Sequence, residues 1–92
     1  MDYTNMDEVE RTFLWNIRLA LMNRDINMLK ELIPNLSIEE LENYIEDYSA
    51  KHETLMTKIR NSEDTTILED EMSGIVYDLF RQANLSGNKR LH

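Results

Sequence analysis

The sequence predicts an all-α fold, a small four-helix domain that spans residues 1–92. Only two glycines and one proline interrupt the 92 residues, and apolar side chains recur between them at intervals of three and four. A chain of this length buries too little surface for two independent cores, so we expect one domain. Residues 85–92 lack the apolar periodicity and are expected to form a flexible tail.

The first two helices are predicted from the residues at their ends. Asn5 is a favourable N-cap for a first helix that should run to about Asn23. Asp25 should cap a short second helix. Pro34 should end it, because the residue before a proline is disfavoured in the α conformation.

The third and fourth helices are predicted from capping boxes. Ser37 and Glu40 have the S-x-x-E spacing and should begin a long third helix that ends near Asn61. At 1.5 Å per residue this helix would be about 36 Å long. Thr66 and Glu69 have the same spacing and should begin the fourth helix.

The apolar stripes of these four helices predict one shared core. Each stripe covers one side of its helix, as expected for helices that pack against one another. The side chains predicted to be buried are Phe13, Ile17, Leu32, Leu41, Ile45, Tyr48, Leu55, Ile75, Leu79 and Phe80.

The first helix is apolar on two sides. Trp15, Leu19 and Met22 cluster about 180° from the stripe that contains Phe13 and Ile17. Such a helix is either central in the bundle or carries an exposed apolar patch of the kind that marks an interface. The second alternative predicts a homodimer interface formed by Trp15, Leu19 and Met22.

The charge and the cysteine content limit the possible partners and compartments. Eighteen acidic and ten basic residues give a formal charge of −8, which repels nucleic acid and anionic membranes and attracts basic proteins. We therefore expect no direct nucleic-acid or membrane binding. The chain has no cysteine, its N-terminus has no signal-peptide pattern, and no apolar run approaches about 20 residues, so a cytoplasmic location is expected.

The sequence offers little for catalysis or metal binding. Its histidines are His52 and the terminal His92. His52 and Glu53 begin like the zinc motif H-E-x-x-H, but Met56 occupies the position of the second ligand. No glycine-rich phosphate-binding motif occurs. We therefore predict no catalytic residue, no metal site and no cofactor, and we do not expect an enzyme.

The acidic residues are concentrated in two windows, 31–50 and 61–80, which contain no lysine or arginine. At 100° per residue, four glutamates of the third helix fall within about 60° of one another, opposite its apolar stripe. We call these four residues the acidic ridge: Glu39, Glu42, Glu46 and Glu53. A second group, the 69–71 cluster, comprises Glu69, Asp70 and Glu71.

Two interpretations of the acidic ridge are open. It is either a solvated face that keeps the protein soluble or a surface whose carboxylates imitate phosphates. Like charges three or four residues apart cost a few tenths of a kcal/mol per pair. From Glu39 to Glu53 the ridge spans about 21 Å and has four acids, where one DNA strand has about six phosphates. Mimicry therefore requires a second copy or the 69–71 cluster.

A short, helical and acidic chain without cysteine or catalytic signature resembles the phage-encoded DNA-mimic proteins, and within that group the anti-restriction proteins of T-even phages. The residues that carry the resemblance are Glu39, Glu42, Glu46, Asp47, Glu53, Glu69, Asp70 and Glu71. The resemblance implies a homodimer in the cytoplasm of the host cell. Its acidic surface would fill the DNA-binding site of a host restriction nuclease or of an H-NS-like nucleoid protein.

A second resemblance leads to a different inhibitor. Residues 39–41 and 73–76 are similar to segments of the acidic four-helix immunity proteins that neutralise DNase colicins. The Tyr-Tyr-Pro motif of that family is absent, because Tyr44 and Tyr48 are a helical turn apart and the only proline is Pro34. An immunity-type inhibitor of a nuclease toxin is therefore the alternative function, together with a helical adaptor that binds through its apolar patch.

Overall fold

Four helices make up the part of the chain that the structure describes. The structure is a computed structural model, which describes the backbone of residues 8–85 and the side chains of residues 8–83. The helices are α1 (Glu8–Met22), α2 (Ile26–Leu32), α3 (Ile38–Arg60) and α4 (Thr66–Leu85). The all-α prediction is confirmed. The predicted cap Asn5 and residues 86–92 of the predicted tail lie outside the described residues.

Two of the predicted helix starts are confirmed by their hydrogen bonds. The carboxylate of Asp25 accepts from the amide N–H of Met28 at the start of α2. At the start of α3, the hydroxyl of Ser37 accepts from the N–H of Glu40, and the Glu40 carboxylate accepts from the N–H of Ser37. The capping box is therefore complete.

The predicted capping box of α4 is wrong by one residue. Thr66 is the first residue of the helix, and its hydroxyl donates to Asp64. The N–H of Glu69 instead bonds to the carbonyl of Thr65, whose hydroxyl donates to the Glu69 carboxylate. The carboxylate of Asp64 also accepts from the N–H of Thr66. Asp64 therefore binds both the N–H and the hydroxyl of the first residue of α4.

α1 and α3 both end in a Schellman motif, in which the first residue beyond the cap is left-handed. Arg24 has φ 53° and Ser62 has φ 58°. The four closing bonds, each from an amide N–H to a carbonyl oxygen, run from Arg24 to Leu21, Asp25 to Ala20, Ser62 to Ile59 and Glu63 to Lys58. Neither left-handed position is a glycine, so both turns carry a steric cost of about 1–2 kcal/mol.

α1 and α3 each pack against the other three helices. Their shared core consists of Leu14, Ile17, Ala20, Leu21, Leu29, Ile33, Leu41, Ile45, Tyr48, Met72, Ile75, Val76, Leu79, Phe80 and Ala83. The predicted core residues Phe13, Leu32 and Leu55 are only half-buried and pack against its edge. The described helices form a flat body of 46 × 32 × 16 Å.

The predicted side of α1 enters the core at Ile17 and Ala20, but the buried side is wider than predicted. Leu14 and Leu21 are in the core, whereas Val9, which shares the predicted stripe, is 62% exposed. α1 packs against three helices at once. Together these helices cover more of the circumference of α1 than the predicted stripe does.

The second apolar side of α1 faces solvent. Trp15 is 57% and Met22 49% exposed, while Leu19 is half-buried. Of the two alternatives for this helix, the structure therefore shows an exposed apolar patch. No helix within residues 8–85 combines the length and the apolar character needed to cross a membrane.

The capping box of α3 gives a first prediction. Replacing Ser37 with alanine should lower the free energy of unfolding by about 1 kcal/mol, because the N–H of Glu40 loses its acceptor. Replacing the exposed Thr57 with alanine inside the same helix should cause no loss, because alanine has the higher helix propensity. Urea denaturation of both variants measures the difference, and equal effects would contradict the role of the cap.

The left-handed residue after α3 gives a second prediction. Ser62→Gly should raise the free energy of unfolding by about 0.5–1 kcal/mol, because glycine adopts a positive φ without a Cβ clash. Asn61→Gly is the matched control: its φ is −94°, so glycine there only adds entropy to the unfolded chain and should destabilise. Thermal denaturation that ranks the two variants in the opposite order would refute the assignment.

Candidate functional site

The acidic ridge lies on the solvent side of α3, as its spacing predicts. Leu41, Ile45 and Tyr48 form the buried side of this helix. All four ridge glutamates are exposed. The separation of the two sides follows from the helical repeat, because the centre of the ridge is about 120° from the centre of the buried side. Packing of α3 into the core thus fixes the direction in which the ridge carboxylates point.

A polar contact with α4 fixes the rotation of α3 further. The hydroxyl of Tyr44 donates to Oδ2 of Asp78, whose other oxygen accepts from Arg81. Burial, the hydrogen bond to Asp78 and the charge of that carboxylate raise the pKa of Tyr44 to about 12. Tyr44 is therefore neutral at physiological pH and acts as a donor that ties the two helices together.

One ridge carboxylate is neutralised from another part of the fold. Nη2 of Arg24 lies 2.9 Å from Oε2 of Glu46, and both side chains are mostly exposed. Arg24 belongs to the turn between α1 and α2, so it is 22 residues from Glu46 in the sequence. A window without lysine or arginine therefore does not ensure a surface without cations.

The other three ridge carboxylates have no such partner. Within residues 8–83, no cation lies at ion-pair distance from Glu39, Glu42 or Glu53, and none of the three accepts a hydrogen bond. Glu39 is in the first turn of α3, where a negative charge is favoured by the helix dipole. This local benefit does not extend to Glu42 or Glu53, which lie farther along the helix.

A lysine pairs with Asp47 and with one member of the 69–71 cluster. Nζ of Lys51 lies 3.1 Å from Oδ1 of Asp47 and 4.0 Å from Oε1 of Glu71. Lys51 therefore lies between α3 and α4 and offsets both carboxylates. The structure does not join the two predicted acidic groups into one continuous surface.

The members of the 69–71 cluster do not share a face of α4. Consecutive residues of a helix point about 100° apart. Glu69 lines a groove with Arg18 and His52, whereas Glu71 is on the side of Lys51. Asp70 is exposed and has no ion-pair or hydrogen-bond partner among the described side chains. Proximity in the sequence thus overestimates the local charge density.

A groove runs beside α1. It lies between α1, α3 and α4, has a volume of about 310 Å³, and is lined by Met22, Tyr48, His52 and Met72, among others. Arg18 lines this groove and also the neighbouring depression beside Trp15, of about 380 Å³. Burial raises the pKa of Tyr48, and the nearby Arg18 opposes this shift.

His52 lies at the rim of this groove. His52 is half-buried, and within residues 8–83 no group of three histidine or carboxylate side chains is placed to hold a metal ion.

Sequence reasoning missed three arginine or lysine residues that shape these surfaces. Arg24 and Lys51 neutralise predicted acidic residues, and Arg18 adds a cation to the apolar side of α1. For Lys51 the i, i+4 spacing from Asp47 was a usable signal. For Arg24 no local signal exists, because its contact depends on tertiary packing.

Comparison of the chain with protein-family models, with curated proteins and with solved structures finds no match.

Tyr44 gives a prediction for pH dependence. Its pKa is higher in the folded protein, about 12, than the ordinary value of 10.0, so the unfolded chain loses this proton first as the pH rises. The stabilisation is complete below about pH 10 and should be lost as the pH approaches about 12. Urea denaturation at several pH values measures this loss.

The control for this prediction is Tyr44→Phe, which removes the ionisable group. The free energy of unfolding of this variant should fall less steeply over the same pH interval, and its ultraviolet titration should lack one tyrosine with a raised pKa. Identical pH slopes for the two proteins would contradict the proposed tie between α3 and α4.

Proposed function

We propose that this protein is a DNA-mimic inhibitor, which occupies the basic DNA-binding groove of another protein with its acidic ridge. A host restriction nuclease or an H-NS-like nucleoid protein is the partner that fits this proposal. One observation carries it: Glu42 and Glu53 are exposed on one side of α3, and no described cation lies at ion-pair distance from either.

The repulsion between the ridge carboxylates supports this proposal. Carboxylates on one side of a helix repel each other, and a helix usually relieves the repulsion with a lysine or arginine one turn away. Asp47 has this relief from Lys51, but Glu42 and Glu53 do not. A basic groove would supply the missing cations, and the resulting complementarity would speed association and select partners of that charge.

The density of charge supports a dimer as the active form. With Glu46 paired to Arg24, three ridge acids remain without a partner along about 21 Å, where one DNA strand has about six phosphates. Two copies would bring six such carboxylates to one partner. The exposed patch of Trp15, Leu19 and Met22 offers an apolar surface through which two copies can meet.

The ridge carboxylates give the test of this function. Changing Glu42 and Glu53 together to glutamine should weaken displacement of a labelled DNA duplex from an H-NS-like nucleoid protein by about tenfold, or about 1.4 kcal/mol. The fold should persist, because both side chains are exposed. Fluorescence anisotropy of the labelled duplex measures displacement, and a DNA cleavage assay gives the corresponding result for a restriction nuclease.

The matched control changes the same amount of charge elsewhere. Glu31 and Glu63 are also exposed and lie outside the ridge, and their joint change to glutamine should alter displacement by less than about twofold. Equal displacement by the parent and the ridge variant would mean that the ridge is only a solvated face. Inhibition of a single nuclease toxin, with no displacement from general DNA-binding proteins, would favour the immunity-type alternative.

A further inference from the structure

Arg18 is exceptional among the cations of this protein. Within residues 8–83, every other lysine or arginine has a hydrogen-bond or ion-pair partner or a further interaction, but Arg18 has neither a hydrogen bond nor an ion pair. It is half-buried beside the exposed Trp15. Glu69 lines the same groove as Arg18 but forms no ion pair with it, so the guanidinium remains able to bind a carboxylate of a second molecule through two hydrogen bonds.

The same side of α1 also contains a carboxylate without a partner. Glu8, Arg11, Trp15 and Arg18 follow one another at intervals of three, four and three residues, so they lie within about 80° on the helix surface. We call these four residues the α1 seam. Glu8 is exposed and, like Arg18, has no ion pair within residues 8–83.

The α1 seam is complementary to itself in one antiparallel register. If Glu8 faces Arg18 of a second copy, the opposite directions of the two helices also set Arg11 against Trp15 of that copy. Two-fold symmetry repeats both contacts, which gives two ion pairs and two arginine–indole contacts. An arginine over an indole ring is a favourable cation–π arrangement.

Neighbouring registers do not bring complementary residues of the two seams together. Moving the second copy by three residues sets Arg11 against Arg18, which brings like charges together. Moving it by one further residue sets Trp15 against Trp15 but leaves Glu8 opposite Met22 and Arg18 opposite Thr12. Only the first register gives every charged residue of the seam a favourable neighbour.

We propose that a second copy of this chain is the occupant of the α1 seam, bound in an antiparallel α1–α1 pair with Glu8 of each copy on Arg18 of the other. The inference rests on the proposed function for its role, since it names the second copy that the ridge requires, and it moves the contact from the patch of Trp15, Leu19 and Met22 to the α1 seam, with Trp15 common to both. The contact is small, because one pair of 15-residue helices buries less than the roughly 1,200 Å² of a stable interface. Association is therefore weak.

Charge reversal tests the partner and its register together. Sedimentation equilibrium of the full chain from about 10 to about 500 µM, where weak interfaces become populated, should show a rise from 11.0 kDa toward twice that mass. Glu8→Arg and Arg18→Glu should each weaken association at least about tenfold, because each places like charges opposite one another. The double variant should restore it.

Two outcomes would overturn the proposal. Parent protein that stays monomeric over the whole concentration range would exclude a second copy as the occupant. Single variants that associate like the parent, or a double variant that associates no better than the singles, would exclude the Glu8–Arg18 contact. Circular dichroism of each variant shows that the helices persist, so loss of association is not loss of the fold.

The absence of cysteine permits a direct measurement of the register. Glu8→Cys with Arg18→Cys should give a disulfide-linked dimer on mild oxidation. The two positions are ten residues apart on α1, about 15 Å, which is too far for a disulfide within one chain. Trp15→Cys alone is the control. Faster cross-linking of this control than of the paired variant would show the Trp15–Trp15 register and refute the proposed one.

Failure of this inference and failure of the proposed function are distinguishable. Self-association is measured on the protein alone, without DNA or a DNA-binding protein. Ridge variants that lose DNA displacement should still sediment as dimers at high concentration. The single variants Glu8→Arg and Arg18→Glu should sediment as monomers while they keep the ridge intact.

Discussion

The buried contacts that α1 and α3 make with each other and with the other two helices determine the rest of the molecule. The described body is only 16 Å thick along its shortest axis, so each of these helices has one side in the core and another in solvent. Ile17 and Leu41 are fully buried. Because the helical repeat fixes the opposite positions, the same packing that buries Leu41 exposes the ridge, and the same packing that buries Ile17 exposes Trp15.

Tertiary structure then decides which charges are neutralised. The turn after α1 places Arg24 in a left-handed conformation, where glycine would be less strained, and its guanidinium reaches Glu46 on α3. Lys51 is shared between Asp47 and Glu71. The effective negative surface is therefore smaller than the sequence indicates, and what remains of the ridge is concentrated at Glu39, Glu42 and Glu53.

Much of the fold could be predicted from the sequence because its signals are local. Asp25 and Ser37 cap helices through residues three positions away, and the stripe of α3 follows the helical period. The full width of the side of α1 that enters the core could not be predicted in this way, because Leu14 lies beside the predicted stripe and is buried only by packing against three helices. The ridge was predictable as a row of exposed carboxylates, but its pairing with Arg24 depends on a contact between residues distant in the sequence.

The acidic ridge and the α1 seam are linked through the net charge of the chain. Two copies that each have a charge of −8 repel one another, so association is favourable only where the local surface is less acidic. The α1 seam satisfies this condition, because Arg11 and Arg18 accompany the single carboxylate of Glu8. A basic partner on the ridge would reduce the repulsion between copies, and by reciprocity a dimer would bind that partner more tightly than a monomer does. Salt would weaken the attraction of a basic partner to the ridge. At the α1 seam it would screen both the net repulsion between the copies and the attraction between Glu8 and Arg18.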